Sequence, residues 1–254
     1  MNVSKIEWTD FSANPIRGLC PVDCKDKEGK SYCYARKMYK RFHWDETIRH
    51  DMTIWNDIAK IKKPSKIFVG STMELFGKWV KYEWMEYILR QVERKSEHTF
   101  IFLTKEPQNL IQWSPFPKNC WIGCSATNQK QYNAAIVGLE LVTAKVKFIS
   151  FEPLLSEIVI DPAYSFIDPA YSFEDAIQWV IIGQQTPQRV ETAPYTSWIN
   201  NIVREADIYR IPVFLKNNLS TILTAKPHFM VRPPISLNDA LKSNLMRQEY
   251  PTVV

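Results

Sequence analysis

A chain of 254 residues with 45% apolar content can bury one sizeable core, and (β/α) barrels of this length fold as single domains. Basic residues exceed acidic ones by 32 to 27, a net charge of +5 that permits an anionic partner without demanding one. Five cysteines, three of them clustered, argue against a disulfide framework, and no apolar run reaches the ~18 residues of a membrane span or follows a leader-like start, so a reducing cytoplasmic setting and no membrane partner are expected.

In chain order, residues 1–19 carry turn signals at Asn14-Pro15 and Gly18, with a short first strand expected within 8–14. The run 34–42 places Ala35, Met38, Tyr39 and Phe42 at helical spacing, with Arg36, Lys37, Lys40 and Arg41 on the remaining turns. Residues 52–63 read as a second helix stopped by Pro64. From there the chain alternates: strand 66–69, helix 84–92, strand 99–103, a short helix at 108–113, strand 120–124, helix 129–141, strands 146–151 and 179–182, helix 196–206, strand 212–215. Strand, turn and helix repeated in this way imply parallel pairing through crossovers. The expected fold class is therefore α/β, a partial (β/α)6–7 TIM-like barrel. One domain spanning 1–254 is expected, divided into an N-terminal loop and first helix (1–45), barrel units (46–218) and a tail (219–254) with a weak helix at 237–247 that packs back on the barrel. The segments 160–166 and 167–173 are identical, which reads as a duplication in a surface loop that little packing depends on.

Chemistry concentrates in the first segment. Cys20 and Cys24 are followed, after seven polar-rich residues (25–31), by Tyr32-Cys33-Tyr34. Three thiolates on one loop can hold three irons of a [4Fe-4S] cluster and leave the fourth iron for a ligand. They can also supply most of a zinc site, with His43 or His50 as the fourth ligand, or be three unrelated buried thiols. Polar groups also close successive apolar strands: Ser71 and Glu74, Thr104 and Lys105, Cys124 and Ser125, Glu152, Gly183 and Gln184, Lys216 and Asn217. In parallel α/β folds these strand ends converge on one face, so such a succession points to a shared polar site.

The loop resembles that of radical SAM enzymes, whose usual spacing is Cys-x3-Cys-x2-Cys with an aromatic residue before the last cysteine. Cys20 and Cys24 match the first interval and Tyr32 matches the aromatic, while the second interval is six residues longer. The Tyr-Cys-Tyr triplet is also similar to the loop of spore photoproduct lyase, a radical SAM enzyme. Lys-Ile-Glu-Trp-Thr-Asp (5–10), Phe-Val-Gly-Ser-Thr-Met-Glu-Leu-Phe (68–76), Phe-Leu-Thr-Lys (102–105), Trp-Ile-Gly-Cys-Ser (121–125), Phe-Glu-Pro-Leu-Leu (151–155) and Val-Phe-Leu-Lys (213–216) resemble, in order, a phage-associated, radical-SAM-like group of unknown function.

That resemblance implies a radical SAM barrel with Cys20, Cys24 and Cys33 holding a [4Fe-4S] cluster, and S-adenosylmethionine (SAM) as cosubstrate. An external one-electron donor such as a flavodoxin or ferredoxin would reduce it. By strand order, the serine, lysine and serine that contact SAM in the lyase correspond to Ser71, Lys105 and Ser125, and Tyr32 would pack on adenine. Glu74, Asn128 and Glu152 are further candidates for its ribose or amino group, with a structural ion pair as the alternative for Glu152. Cys124 would be a hydrogen-atom donor, or an inert core thiol; the place of the lyase's own donor cysteine is taken here by Gly70. The basic runs, with Trp44, Trp79 and Trp84 nearby, suit a nucleic-acid substrate or partner. Two other functions compete: a zinc-dependent nucleic-acid-binding module, and a degenerate barrel that has lost its cluster.

Overall fold

The computed structural model describes residues 2–160, 176–223 and 246–252, in two compact units: Met1–Cys124 with Val137–Lys147, and Ser125–Ile136 with Phe148–Val254. The duplicated segment (160–173), apart from Ile160, and nearly all of the expected tail helix lie outside the described residues.

The first unit opens with strands β1 (Asn2–Val3) and β2 (Phe11–Ala13), and a small antiparallel pair, β3 (Ile16–Arg17) with β4 (Arg49–His50), flanks helix α1 (Tyr34–Phe42). Helix α2 is shorter than the sequence suggests, Ile54–Ile58. Only one turn has a face to bury, through Ile54, Trp55 and Ile58, and Pro64 disfavours helical backbone at Lys63. Then come β5 (Lys66–Val69), α3 (Tyr82–Glu93), β6 (Thr99–Thr104) and β7 (Cys120–Ser125). Strands β2, β5, β6 and β7 pair in parallel in that order, and β1 adds antiparallel to β2. Helix α3 buries Met85, Ile88 and Val92, three and four residues apart, and β5 and β6 bury Ile67, Phe100 and Phe102. The helix expected at 108–113 is instead two 3-10 turns, Pro107–Asn109 and Ile111–Trp113, because proline occupies the first position of a segment with little apolar face.

Helix α4 (Gln129–Glu140) and β8 (Val146–Phe151) are shared between the units. In the second, the last four residues of β8 pair in parallel with β9 (Trp179–Ile182), which pairs in parallel with β10 (Val213–Leu215). Every residue of these three strands is buried, as expected for strands covered on both faces. Helix α5 (Thr196–Ile208) contributes Ile199, Ile202 and Ala206, and a short α6 (Ser220–Leu223) follows β10. The chain returns at Gln248, bridged antiparallel to Phe214, where Trp179 donates its indole N–H to Glu249 O at 2.8 Å and stacks on Tyr250. The fold class is the one expected, α/β of the partial TIM-like type, with four parallel strands in the first unit and three in the second. No helix among the described residues is long and apolar enough to cross a membrane.

Candidate cofactor site

The long second interval of the cysteine loop closes on itself. Residues 25–31 form a tight hairpin, with Lys25 and Ser31 bridged antiparallel and the Asp26 N–H bonded to Lys30 O at 2.9 Å. Asp26, the one buried side chain of the excursion, accepts from the N–H of Glu28 at 3.1 Å and of Lys30 at 2.8 Å. Gly29 takes the positive φ of 76° that reverses the chain, a conformation a side chain resists. At the base, Tyr32 N–H donates to Cys24 O at 2.9 Å. Eight residues of sequence are thereby reduced to the width of a hydrogen-bonded pair, and Cys24 stands beside Cys33.

The Cys24 and Cys33 thiols are close enough to shift one another's ionisation in opposite directions. Cys33 is the N-cap of α1, and its thiol is lowered to about 6, first by the bond from Cys24, then by the N–H groups of Arg36 and Ala35 and the Arg36 charge. Cys24 is pushed the other way, by its role as donor and by burial, against which the Lys105 charge acts. Of the two, Cys33 is the one whose thiolate is favoured and Cys24 the one whose thiol is favoured. Cys20 is buried and its thiol raised by that burial; its sulfur accepts the backbone N–H of Glu74 at 3.4 Å and feels the charge of Cys33. Arg36 clips the loop to α1 by donating to Cys20 O at 2.9 Å and approaching the Asp23 carboxylate at 3.7 Å. The Tyr32 phenol is raised by burial and by the two neighbouring thiols.

Glu74, just beyond β5, is the interior anchor. Its carboxylate accepts from Thr104 Oγ1 at 2.6 Å, Lys105 N–H at 2.7 Å and Phe76 N–H at 3.1 Å, while burial raises its pKa. Both oxygens are engaged within the unit, so Glu74 joins the ends of β5 and β6 to the cysteine loop. Ser71 exchanges hydrogen bonds with the Asn14 amide at 3.1 and 3.2 Å, and its carbonyl accepts the Tyr34 hydroxyl. Cys124 is fully enclosed, its thiol raised by burial and by the Glu74 charge. Sequence reasoning placed Thr104 at the shared strand-end site but missed Asn14 and Arg36 as members of this network.

The remaining predicted residues belong to the second unit. Ser125 is buried; Asn128 caps α4, its Oδ1 accepting Gln131 N–H at 3.1 Å. Glu152 is ion-paired with Lys216, the structural alternative raised above, and the pair packs over Gly183. Neither histidine suits a zinc site with the cysteines: His43 ends α1, ten residues and about 15 Å along the helix from Cys33, and His50 packs against Trp84 and Tyr87. Among the described residues no three His, Cys, Asp or Glu side chains converge to hold a single metal ion.

A parallel α/β protein with three cysteines gathered beside the ends of its first strands is thus defined. Over residues 3–224 the chain belongs to the family described as protein of unknown function (DUF5131). No curated protein matches its sequence. Among solved structures, a mutant of spore photoproduct lyase with bound AdoMet and dinucleoside spore photoproduct is similar at 10% identity and a TM-score of 0.48, over 81% of this chain and 63% of that one. The chain therefore spans less than two thirds of the lyase chain it matches.

Proposed function

We propose that this protein is a radical SAM enzyme whose Cys20, Cys24 and Cys33 hold a [4Fe-4S] cluster. The observation that carries the proposal is the hairpin at 25–31, which gives the long loop the local closeness of a short one. In a cubane each thiolate binds a different iron, so three cysteines carried on one loop can supply three corners and leave the fourth iron for SAM.

When bound, the cluster and SAM, with an electron from an external flavodoxin or ferredoxin, supply a 5′-deoxyadenosyl radical that abstracts hydrogen from a substrate. The chain's own residues do the rest. Cys33, the thiol already lowered, would ligate iron as a thiolate, and Cys24 would have to lose its proton to do so. The Glu74 N–H and the Arg36 clip fix Cys20. Lys105, whose charge reaches the loop, and Ser71 are assigned to the SAM carboxylate and hydroxyls, and Tyr32 to its adenine. Glu74 acts by positioning Lys105 and Cys20 rather than by touching SAM. Ser125, Asn128, Glu152 and Cys124 receive no role.

Anaerobic reconstitution with iron and sulfide, then dithionite and SAM, tests the reading through 5′-deoxyadenosine. A brown protein with about four irons per chain that forms deoxyadenosine is expected; Cys33→Ala should lose iron and remain folded. A colourless protein holding one zinc, or an iron-loaded one that leaves SAM intact, rejects it.

A further inference from the structure

Helix α1 carries four cations and no carboxylate in nine residues. Arg36 is occupied by the cysteine loop. Lys37, Lys40 and Arg41 stand three and four residues apart on one exposed face, and none has an ion-pair partner among the described residues. Five other arginines are ion-paired, Arg17 with Asp51, Arg49 with Asp45, Arg90 with Glu86, Arg204 with Glu205 and Arg247 with Asp207, while Arg94, Arg189 and Arg210 stand singly on other elements, without an ion pair among the described residues and not grouped on one helical face. Like charges at this spacing repel, so the unpaired set costs stability that an acidic neighbour would relieve.

The end of the same helix keeps flat rings in water. His43 takes a φ of 51°, which turns the chain so that Trp44 N–H returns to Tyr39 O at 3.2 Å. The Trp44 ring then stacks on Phe42, centroids 5.5 Å apart and planes at 22°, with the Arg41 guanidinium 5.3 Å from the Phe42 centroid. Phe42 is 51% and Trp44 42% exposed. Trp79 and Trp84, the other two rings the sequence offered, are spent on packing: Trp79 donates to Glu74 O at 3.0 Å, and Trp84 lies against His50. Only Trp44 of the three remains open to a partner.

Unpaired cations beside exposed rings match the two halves of a single-stranded nucleic acid, phosphates and unstacked bases. An acidic protein would use the cations and leave the rings idle, and a duplex hides its base faces. We propose that the 37–44 face of α1 binds single-stranded nucleic acid and presents it to the cysteine site. Because α1 begins at Cys33 and is about 13 Å long, a strand lying along it passes within a few nucleotides of the cysteines. Its standing as the substrate surface rests on the radical SAM reading; the binding itself does not, since it can be measured on a chain with all three loop cysteines replaced by serine.

The test is fluorescence anisotropy of the full chain with a labelled single-stranded DNA or RNA oligomer of mixed sequence, between about 50 and 200 mM salt. Binding should fall with salt with a log–log slope of about −2, from about −0.7 for each of three neutralised phosphates. The combined Lys37→Gln, Lys40→Gln, Arg41→Gln variant should flatten that slope. Trp44→Ala should weaken binding about tenfold at constant slope, and Trp44→Phe should restore part of the loss. Iron loading should be unaffected in all of these variants. No binding at low salt, equal binding of duplex, or unchanged binding by the variants overturns the proposal. So does displacement by polyglutamate or anionic vesicles as effective as by the oligomer.

Discussion

Removing one carboxylate tests whether the hairpin, rather than the spacing of the cysteines, builds the site. Asp26→Ala deletes the acceptor for the Glu28 and Lys30 N–H groups. A hydrogen bond to a charged acceptor contributes about 1.5 kcal/mol or more, but both freed donors lie on an exposed turn where water compensates in part. A loss of about 2 kcal/mol from the closed hairpin is expected, a factor of roughly 30 at 1.4 kcal/mol per tenfold. If opening the hairpin parts Cys24 from Cys33, iron affinity falls by up to that factor, because only the closed fraction is competent. The assay is competition with a graded chelator during anaerobic reconstitution, read at the visible charge-transfer band, with denaturant unfolding of the iron-free protein alongside. The iron-free chain should stay folded, with its unfolding free energy lowered by no more than that local ~2 kcal/mol, since the other residues of the turn are exposed and outside the core. Asp26→Asn, which keeps an oxygen acceptor, should recover most of the affinity. Equal iron affinity for Asp26→Ala and the parent chain would refute the reasoning, as would a loss matched by global unfolding.

Further outcomes follow from the same contacts. Iodoacetamide at neutral pH should label Cys33 first, with the rate falling about tenfold per pH unit below about 6, whereas Cys120 and Cys124 stay unlabelled until the chain unfolds; peptide mass spectrometry reads the order. Glu74→Ala should cost about 3 kcal/mol in denaturant unfolding, since it strands the buried N–H groups of Phe76 and Lys105 and the Thr104 hydroxyl. With Glu74 present, its raised pKa means the folded chain holds that proton more tightly than the unfolded one. Its contribution to stability should therefore decline as pH rises from the ordinary carboxyl range through the raised value, and the slope should vanish in Glu74→Ala. Gly183→Ala would place a methyl 3.0 Å from Lys216 Cδ and 3.1 Å from Glu152 Cγ, so it should lower the denaturation midpoint by an amount equivalent to about 1–2 kcal/mol.

The strands were the legible part of the fold because their signal is local. Runs such as Thr99-Phe-Ile-Phe-Leu and Cys120-Trp-Ile-Gly-Cys are apolar without interruption, and their observed bounds differ from the expected ones by a single residue at the C-terminal end. Strands β1, β3 and β4 hold two residues each, too few for any period to emerge. The site was legible only as residue types at strand ends. Its wiring joins positions far apart in the chain: Asn14 to Ser71, Glu74 to Thr104 and Lys105, Glu152 to Lys216. Nothing in the local sequence tells that Glu74 has both oxygens satisfied from inside, or that Lys216 is taken by Glu152.

The extra residues between Cys24 and Cys33 show why a spacing rule and a geometric rule can part company. A spacing of two residues matters in a cluster loop only because it keeps two sulfurs near one another. A hairpin whose ends are hydrogen-bonded meets that requirement at any length, since the cost of the added chain is met by its own bonds: Asp26 to Glu28 and Lys30, Lys25 to Ser31, Tyr32 to Cys24. What the spacing rule cannot supply is the support behind the loop. Here that support is the Glu74 N–H on Cys20 and the Glu74 carboxylate on Thr104 and Lys105, which ties the cysteines to the ends of β5 and β6. A hairpin of the same length without an interior acid to hold its neighbours would bring two sulfurs together and leave the third unplaced.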